Sequence, residues 1–200
     1  MLRFDLSKDS RSRFFAGITE PAVPAITAFY LAQSPAPIVF LLDKSLNSAE
    51  QWAEDTGFFM KPYGLEKKDW DFLAFPLFTD AESANDPRAN EVFCDRLVVL
   101  SALLSFNEKV NRRALVIATT PEALFSRVPR YEDFQSSRIT LETGREWPFQ
   151  KLVSTLSGDF DYDSEAVCEH PGQFAVRGGL IDIYPVNDHQ PYRIDFFGDA

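Results

Sequence analysis

The sequence predicts an α/β fold, in which a parallel-sheet layer is followed by a small α+β unit. Two continuous apolar runs, PIVFLL (37–42) and ALVIAT (114–119), are typical of strands buried on both faces of a parallel sheet. Helical periodicity follows each run, and this alternation of strand and helix is the pattern of a parallel layer. The end of the chain instead carries GQFAVRGGLIDIYP (172–185) and PYRIDFFGD (191–199), two strand-like runs that indicate antiparallel pairing.

The chain begins with a predicted strand and helix. RFFAGI (13–18) is a short apolar run, and the helix after it covers residues 19–33. Thr19 is its predicted N-cap and Pro21 lies in its first turn, where a missing N–H costs nothing. Pro24 fits only if the helix begins close to it.

The next elements continue the alternation. LNSAEQWAEDTGFF (46–59) predicts a helix with a capping box from Ser48 to Gln51 that ends before Gly57. FLAFPLF (72–78) is apolar but is interrupted by a proline. A further helix is predicted from apolar residues spaced three and four apart on one face: Val92, Phe93, Leu97, Leu100, Leu103 and Leu104.

The polar segment after residue 125 predicts a domain boundary. TTPEALFSRV (119–128) reads as a helix capped by Thr120, and SRVPRYEDFQSS follows it with turn-forming residues. We therefore predict one domain over 1–133 and a second over 134–200. In the second, SSRITLETG (136–144) alternates like a half-exposed strand, and WPFQKLVSTLSG (147–158) predicts a short amphipathic helix ending at its glycine. The chain stops without a cap or polar tail, which predicts a fragment of a longer protein.

Composition excludes several classes of function. The formal net charge is −10, and such a surface repels nucleic acid. The two cysteines, Cys94 and Cys168, suit a reducing compartment, although their spacing leaves a disulfide open. The N-terminus lacks an apolar leader and no run approaches the ~18 apolar residues of a membrane helix, so we predict a cytoplasmic protein without a membrane partner.

The turn before the first helix occupies the position of a phosphate-binding loop but lacks its chemistry. GITEPAVPAI (17–26) begins with Gly17, Ile18, Thr19 and Glu20. A working loop supplies backbone N–H groups and a lysine, whereas this one has an acidic residue, two prolines and no lysine. We predict a degenerate site, no bound cofactor and no enzyme activity for this chain.

The sequence gives only weak evidence for other kinds of binding or catalytic site. GDFDYDSEA (158–166) resembles a calcium loop in part, but it lacks the glycine and the glutamate that such a loop needs, so a solvated acidic loop is predicted. Cys94 is interpreted as a packing residue and His170 as a surface residue. No Cys/His group has metal-ligand spacing, so no metal is predicted. No residue is selected as a nucleophile or as a general acid or base, so no catalytic residue is predicted.

The glycine-flanked Arg177 is the strongest candidate for function. Gly178 and Gly179 indicate a bulge, a tight bend or a close backbone approach. Arg177 in a bulged hairpin is then either solvated or salt-bridged to Asp182 or Asp195, or it is an exposed anchor for a partner protein, since arginine is common at interface hot spots. The residues alone leave both readings open.

The segment around this arginine carries a family resemblance. EHPGQFAVRGGLIDIYPVNDHQPYRIDFFGD (169–199) resembles a pattern shared by bacterial transcription-repair coupling factors and the nucleotide-excision repair helicase UvrB. FFAGITEPAVPAITAFYLA and ALVIATTPEALFSRV resemble, more weakly, earlier parts of the same module. The absent lysine, and the lack of a tyrosine-rich hairpin after residue 57, favour the coupling factors over UvrB.

The resemblance implies a UvrA-binding domain, similar to domain 2 of UvrB, on a degenerate helicase-like layer. UvrA would be recruited to RNA polymerase stalled at a DNA lesion, and the ATP- and Mg-dependent translocase motor, with the polymerase and DNA contacts, would lie in further domains. The implied partner surface comprises Tyr162, Asp163, Phe174, Arg177, Gly178, Gly179 and Asp182. Asp163 departs from the family, which usually has arginine after the tyrosine. Two alternatives remain, a UvrB-like ATPase subunit and an autoinhibitory structural domain.

Overall fold

The computed structural model describes residues 17–33, 37–78, 89–108 and 113–196, and it contains two separate sheets. The first sheet is parallel, with order β1-β3-β2, and its strands are Ile38–Leu42 (β1), Trp70–Phe75 (β2) and Ala114–Thr119 (β3). The second has order β4-β5-β6-β7, from Asp163–Ser164 (β4), Gln173–Arg177 (β5), Leu180–Tyr184 (β6) and Tyr192–Asp195 (β7). The mixed α/β architecture with a parallel sheet and a small second sheet is as predicted. The predicted first strand lies mostly outside the described residues.

Six α-helices occur in the described ranges. They are Val23–Gln33 (α1), Leu46–Phe59 (α2), Ala89–Asn107 (α3), Pro121–Leu124 (α4), Tyr131–Ser136 (α5) and Phe149–Ser154 (α6). Helices α1 and α2 cover one face of the parallel sheet, where Leu31 and Ala53 pack with Val116 of the central strand. Helix α3 covers the other face through Val99, which packs with Ile117.

Full burial on both faces holds for β3 but not for β1. In β3, residues 115–119 are all buried, whereas Phe40 of β1 is 40% exposed and Leu42 is 41% exposed. The cause is topological, because β3 lies between two strands and β1 pairs with β3 alone among the described strands. The strand β2 was not predicted from its sequence, because Pro76 follows its last residue directly.

The first helix starts later than its cap residue predicts. Glu20–Ala22 form a 3-10 turn, the α-helix begins at Val23, and the Thr19 side chain makes no capping hydrogen bond. Pro24 is therefore in the first turn, where its missing N–H costs little.

The second helix starts earlier and ends later than predicted. It begins at Leu46, so the proposed capping box at Ser48 is wrong, and it continues through Gly57 to Phe59. Gly57 lies within the helix, and a Cβ there would stand 3.1 Å from the ring of Phe72. This glycine allows close packing of the helix on β2 and does not terminate it.

The helical patterns around β3 are confirmed in part. The N–H of Ala123 donates to Thr120 Oγ1 at 3.2 Å, which confirms the predicted cap, but the helix has only one turn. The apolar pattern of residues 92–104 lies in α3, as predicted. Phe93, however, is largely exposed and lies beside Phe78 rather than in the core.

The second sheet packs on α6 and has its own core. That core consists of Leu152, Leu156, Phe174, Ile181 and Ile183. Residues 136–144 were predicted as a strand, but they have no strand structure; Ile139 and Leu141 alternate because both pack on this core. The helix also continues past Gly158 as a π-helical turn, Thr155–Asp159.

Helix α3 lies before the predicted boundary and contacts residues that lie after it. Asn187 Nδ2, between β6 and β7, donates to Ser101 Oγ at 3.1 Å. Near the end of the helix, Glu108 accepts from Gln135 Nε2 at 2.9 Å and pairs with Arg138. The helix therefore holds the connecting segment and the second sheet at separate points.

Two further structural observations bear on the sequence analysis. Both Cys94 and Cys168 are free thiols. Within the described ranges, no helix is long and apolar enough to cross a membrane.

Candidate functional site

A tight two-residue turn places Arg177 at the tip of the β5–β6 hairpin. Arg177 pairs with Leu180, so Gly178 and Gly179 alone form the connection. Gly178 has φ +60°, a conformation that other residues adopt only with strain. Gly179 accepts a hydrogen bond from the Phe196 N–H at 3.0 Å, which extends the pairing with β7. The glycines therefore form a turn rather than a bulge.

The two faces of this sheet have different chemistry. Phe174, Ile181 and Ile183 point to the core, and Phe174 is only 1% exposed. Side chains alternate along a strand, so the intervening residues lie on the opposite face, here called the outer face. Cross-strand register brings Asp182 opposite Arg193 on this face. Phe174 was predicted at the partner surface, but its ring is inaccessible to a partner in this fold.

A segment of the chain, residues 165–169, lies across part of the outer face. Arg177 Nη2 donates to the Ala166 carbonyl at 2.8 Å, and Cys168 Sγ donates to the Asp182 carbonyl at 3.1 Å. Ala175 beneath this segment is 1% exposed. Arg177 therefore anchors this segment, while its own side chain remains exposed.

Asp182 is paired with Arg193, not with Arg177. Arg193 Nε donates to Oδ1 at 2.6 Å and Nη2 donates to Oδ2 at 2.9 Å, a bidentate geometry. These hydrogen bonds hold the pKa of the Asp182 carboxyl below its ordinary value. No described carboxylate forms a salt bridge with Arg177, so the salt bridge to Asp182 or Asp195, one of the alternatives that the sequence left open, is absent from the described residues.

Sequence reasoning missed Arg193. Its pairing with Asp182 depends on the register of β6 and β7, which are joined by the seven residues 185–191. A connection of that length does not fix a hairpin register, whereas a two-residue turn does. The sequence therefore contained no usable signal for this pair.

Tyr162 and Asp163 lie far from the hairpin tip. Asp163 pairs with Gln173, at the opposite end of β5 from Arg177. Gln173 and Arg177 are four residues apart along β5, which is about 13 Å. The exposed Asp163 and Arg177 are therefore not brought together by the fold.

The Tyr162 hydroxyl has a structural role. It accepts the Val186 N–H at 3.0 Å, and the ring packs on the core of the second sheet. Burial raises the pKa of the hydroxyl. Tyr162 thereby connects the strand before β5 to the loop after β6.

Replacing Tyr162 with phenylalanine is expected to lower the free energy of unfolding by about 1 kcal/mol, because the partly buried Val186 N–H loses its acceptor. Urea denaturation measures the change. Tyr192→Phe is the matched control, since its hydroxyl bonds to Asp188 at an exposed position and should matter less. Unchanged stability in Tyr162→Phe would contradict the structural role.

The turn at Gly17 is open to solvent. Gly17 has φ +72°, Glu20 is exposed, and the Ala22 N–H is already bonded to the Thr19 carbonyl at 2.9 Å. Ile18 is partly buried. The turn thus presents a carboxylate where a phosphate would require cations and free N–H groups.

Residues 139–200 match the UvrB interaction domain. This match covers the second sheet, its helix α6 and the hairpin that carries Arg177.

Curated relatives extend the similarity to most of the chain. The transcription-repair-coupling factor of Bacillus subtilis is 25% identical over 192 residues, which are 96% of this chain and 15% of that protein. The factor of Escherichia coli is 22% identical over the same share of this chain. The UvrABC system protein B of Chlorobium phaeobacteroides is 24% identical, with 99% of this chain and 28% of that protein covered. The chain is thus homologous to both groups at modest identity and spans a minor part of their length.

Proposed function

We propose that this chain is the UvrA-recruiting part of a transcription-repair coupling factor that acts in nucleotide-excision repair. In this proposal, the outer face of the second sheet binds UvrA, and Arg177 at the hairpin tip is its main anchor. The full-length protein would be an ATP-dependent translocase acting on stalled RNA polymerase, with its motor in domains beyond this chain. The chain itself would have no enzyme activity.

The observation that carries this proposal is the exposed Arg177 within the matched interaction domain. Among the described residues, Arg177 forms one hydrogen bond, from Nη2 to the Ala166 carbonyl. A guanidinium presents five N–H donors in a planar fork, so the others are free to meet carboxylates or carbonyls of a partner. Arginine at an interface is frequently a residue on which binding energy concentrates.

Replacing Arg177 with alanine is expected to weaken UvrA binding by more than ~1 kcal/mol, which is about fivefold in Kd. Titration calorimetry of the 200-residue chain with UvrA from the same organism, without nucleotide, measures the change. The fold should persist, because the hydrogen bond to Ala166 is exposed and contributes little.

The matched control is Arg145→Ala. Arg145 is an exposed arginine of the same domain, and among the described residues it forms an ion pair with Glu142 in the sequence before α6. If both variants weakened UvrA binding equally, the effect would come from the loss of one positive charge, and Arg177 would not be the main anchor. Circular dichroism of each variant separates loss of contact from loss of fold.

A UvrB-like ATPase subunit is the alternative suggested by the similarity to the Chlorobium protein. The turn at Gly17–Glu20 argues against it, because it offers a carboxylate and prolines in place of a lysine and N–H donors. ATP binding by this chain, measured by calorimetry with Mg²⁺, would favour the alternative. An autoinhibitory role is compatible with recruitment, since a surface that binds UvrA can also be covered within the full-length protein.

A further inference from the structure

A groove runs along the open edge of the parallel sheet. Strand β2 pairs with β3 on one side only, and no other described strand pairs with its second edge. Helix α2 lies on one face of the sheet and α3 on the other, and between them is a groove of about 480 Å³. Backbone and side chains of Phe72, Leu73 and Ala74 line it along β2.

The walls of this groove are acidic. Glu50 and Glu54 line it from α2, where a spacing of four puts them on the same face, and Asp95 lines it from α3. No described residue forms a salt bridge with any of these three carboxylates. His189 is the one basic side chain among the described lining residues.

The carboxylates influence one another across the groove. Burial raises the pKa of Glu50, and the charges of Asp95 and Glu54 raise it further. Burial also raises the pKa of Asp95, while His189 opposes this shift. The charged forms of Glu50 and Asp95 are therefore unfavourable in this groove, and a cation placed between its walls would stabilise them.

The arrangement does not fit a metal ion or a nucleic acid. Within the described ranges, no three His, Cys, Asp or Glu side chains are placed to hold one ion. Phosphates would be repelled by the acidic walls. A strand edge offers backbone N–H and C=O groups to a further strand, and an extended peptide can supply cationic side chains on both sides of its backbone.

We propose that this groove binds an extended, lysine- or arginine-bearing segment of a partner protein as an additional strand beside β2. The backbone of the segment pairs with residues 72–74, and its alternate side chains reach the carboxylates of α2 and α3. This surface belongs to the first sheet and is separate from the proposed UvrA-binding face. The residues that directly follow β2 in the sequence do not complement it, since they carry Asp80, Glu82 and Asp86.

The probe is a fluorescein-labelled peptide of two Lys-Lys-Val-Val repeats, which presents lysine on both sides of an extended backbone. It is titrated with the 200-residue chain and followed by fluorescence anisotropy. A second peptide carries an N-methyl group on every residue, which removes the backbone N–H donors on both edges and leaves the charge unchanged. Binding of the first peptide, with at least tenfold weaker binding of the second, is the expected result, because strand addition depends on those donors.

The groove variant replaces its three carboxylates: Glu50→Gln, Glu54→Gln and Asp95→Asn. It should fold, since the charges of Glu50 and Asp95 are disfavoured in the folded chain, and it should bind the peptide about tenfold more weakly. The control variant removes the same charge at exposed positions outside the groove: Glu122→Gln, Glu132→Gln and Glu165→Gln.

Each remaining outcome overturns the proposal. Equal weakening in both variants would mean that the peptide responds only to net charge. Stronger peptide binding or aggregation of the groove variant would mean that the carboxylates serve only to protect the strand edge. Tighter peptide binding after removal of residues 1–16 would assign the groove to the chain itself, and a dimer lost in the groove variant would assign it to a second copy. None of these results depends on UvrA.

Discussion

Replacing Phe174 with alanine is expected to destabilise the second sheet by about 3–5 kcal/mol, the usual range for a buried phenylalanine. Its ring is 1% exposed and belongs to a small core of five buried residues, of which Ile183 is the most exposed at 8%. A loss of this size is comparable with the total stability of a small domain. We therefore expect residues 139–196 to unfold in a large fraction of the molecules.

Hydrogen exchange read by mass spectrometry measures this effect region by region. Protection should fall in β5, β6 and α6 and remain in β3, because the parallel sheet has a separate core. Val176→Ala is the matched control, since Val176 is on the same strand, faces the same side and is 41% exposed. Equal losses from the two variants would contradict the core assignment. UvrA binding lost by Phe174→Ala would reflect the fold rather than a contact.

Replacing Arg96 with methionine is expected to destabilise the parallel layer by about 2–4 kcal/mol. Arg96 is 5% exposed, and it donates from Nη1 to the Pro76 carbonyl at 2.8 Å and from Nη2 to the Arg127 carbonyl at 3.0 Å. Its guanidinium also lies 4.1 Å from the ring centroid of Phe75. Methionine keeps much of the packing but leaves two carbonyls without a donor, and each costs about 1–3 kcal/mol if it stays buried.

Urea denaturation followed by tryptophan fluorescence measures the change, because Trp70 is buried in the core of this layer. Arg96→Lys separates geometry from charge: lysine keeps the charge but cannot reach two carbonyls with a planar fork. Burial lowers the pKa of the Arg96 guanidinium, so its charge alone is not what stabilises the fold. Arg96→Lys should therefore be nearly as unstable as Arg96→Met, and full stability in the lysine variant would contradict this account.

The parts of the fold that local chemistry determines were predictable from sequence. The run ALVIAT forms the central strand, because a strand between two neighbours buries side chains on both faces, as residues 115–119 do. Thr120 caps the helix after it, and the paired glycines give the turn at Arg177. In each case a few adjacent residues are sufficient to fix the conformation.

The predictions from sequence that were wrong depend on contacts between residues that are distant in sequence. Gly57 reads as a helix stop, yet it lies inside α2, where a Cβ would approach the ring of Phe72 to 3.1 Å. Ile139 and Leu141 alternate like a strand but only pack on a core. At the candidate site, Arg177 was recognised from its flanking glycines, whereas the pairing of Arg193 with Asp182 required a register that the sequence does not encode locally.

The two attachments on helix α3 have a mechanical consequence. Ser101 and Glu108 are seven residues apart, which is about 10 Å along a helix. One attachment would act as a pivot, but two along a stiff rod resist twisting as well as separation. Rotation of the second sheet against α3 therefore requires the exposed hydrogen bond between Ser101 and Asn187 to break, while the contacts of Glu108 hold the connecting segment.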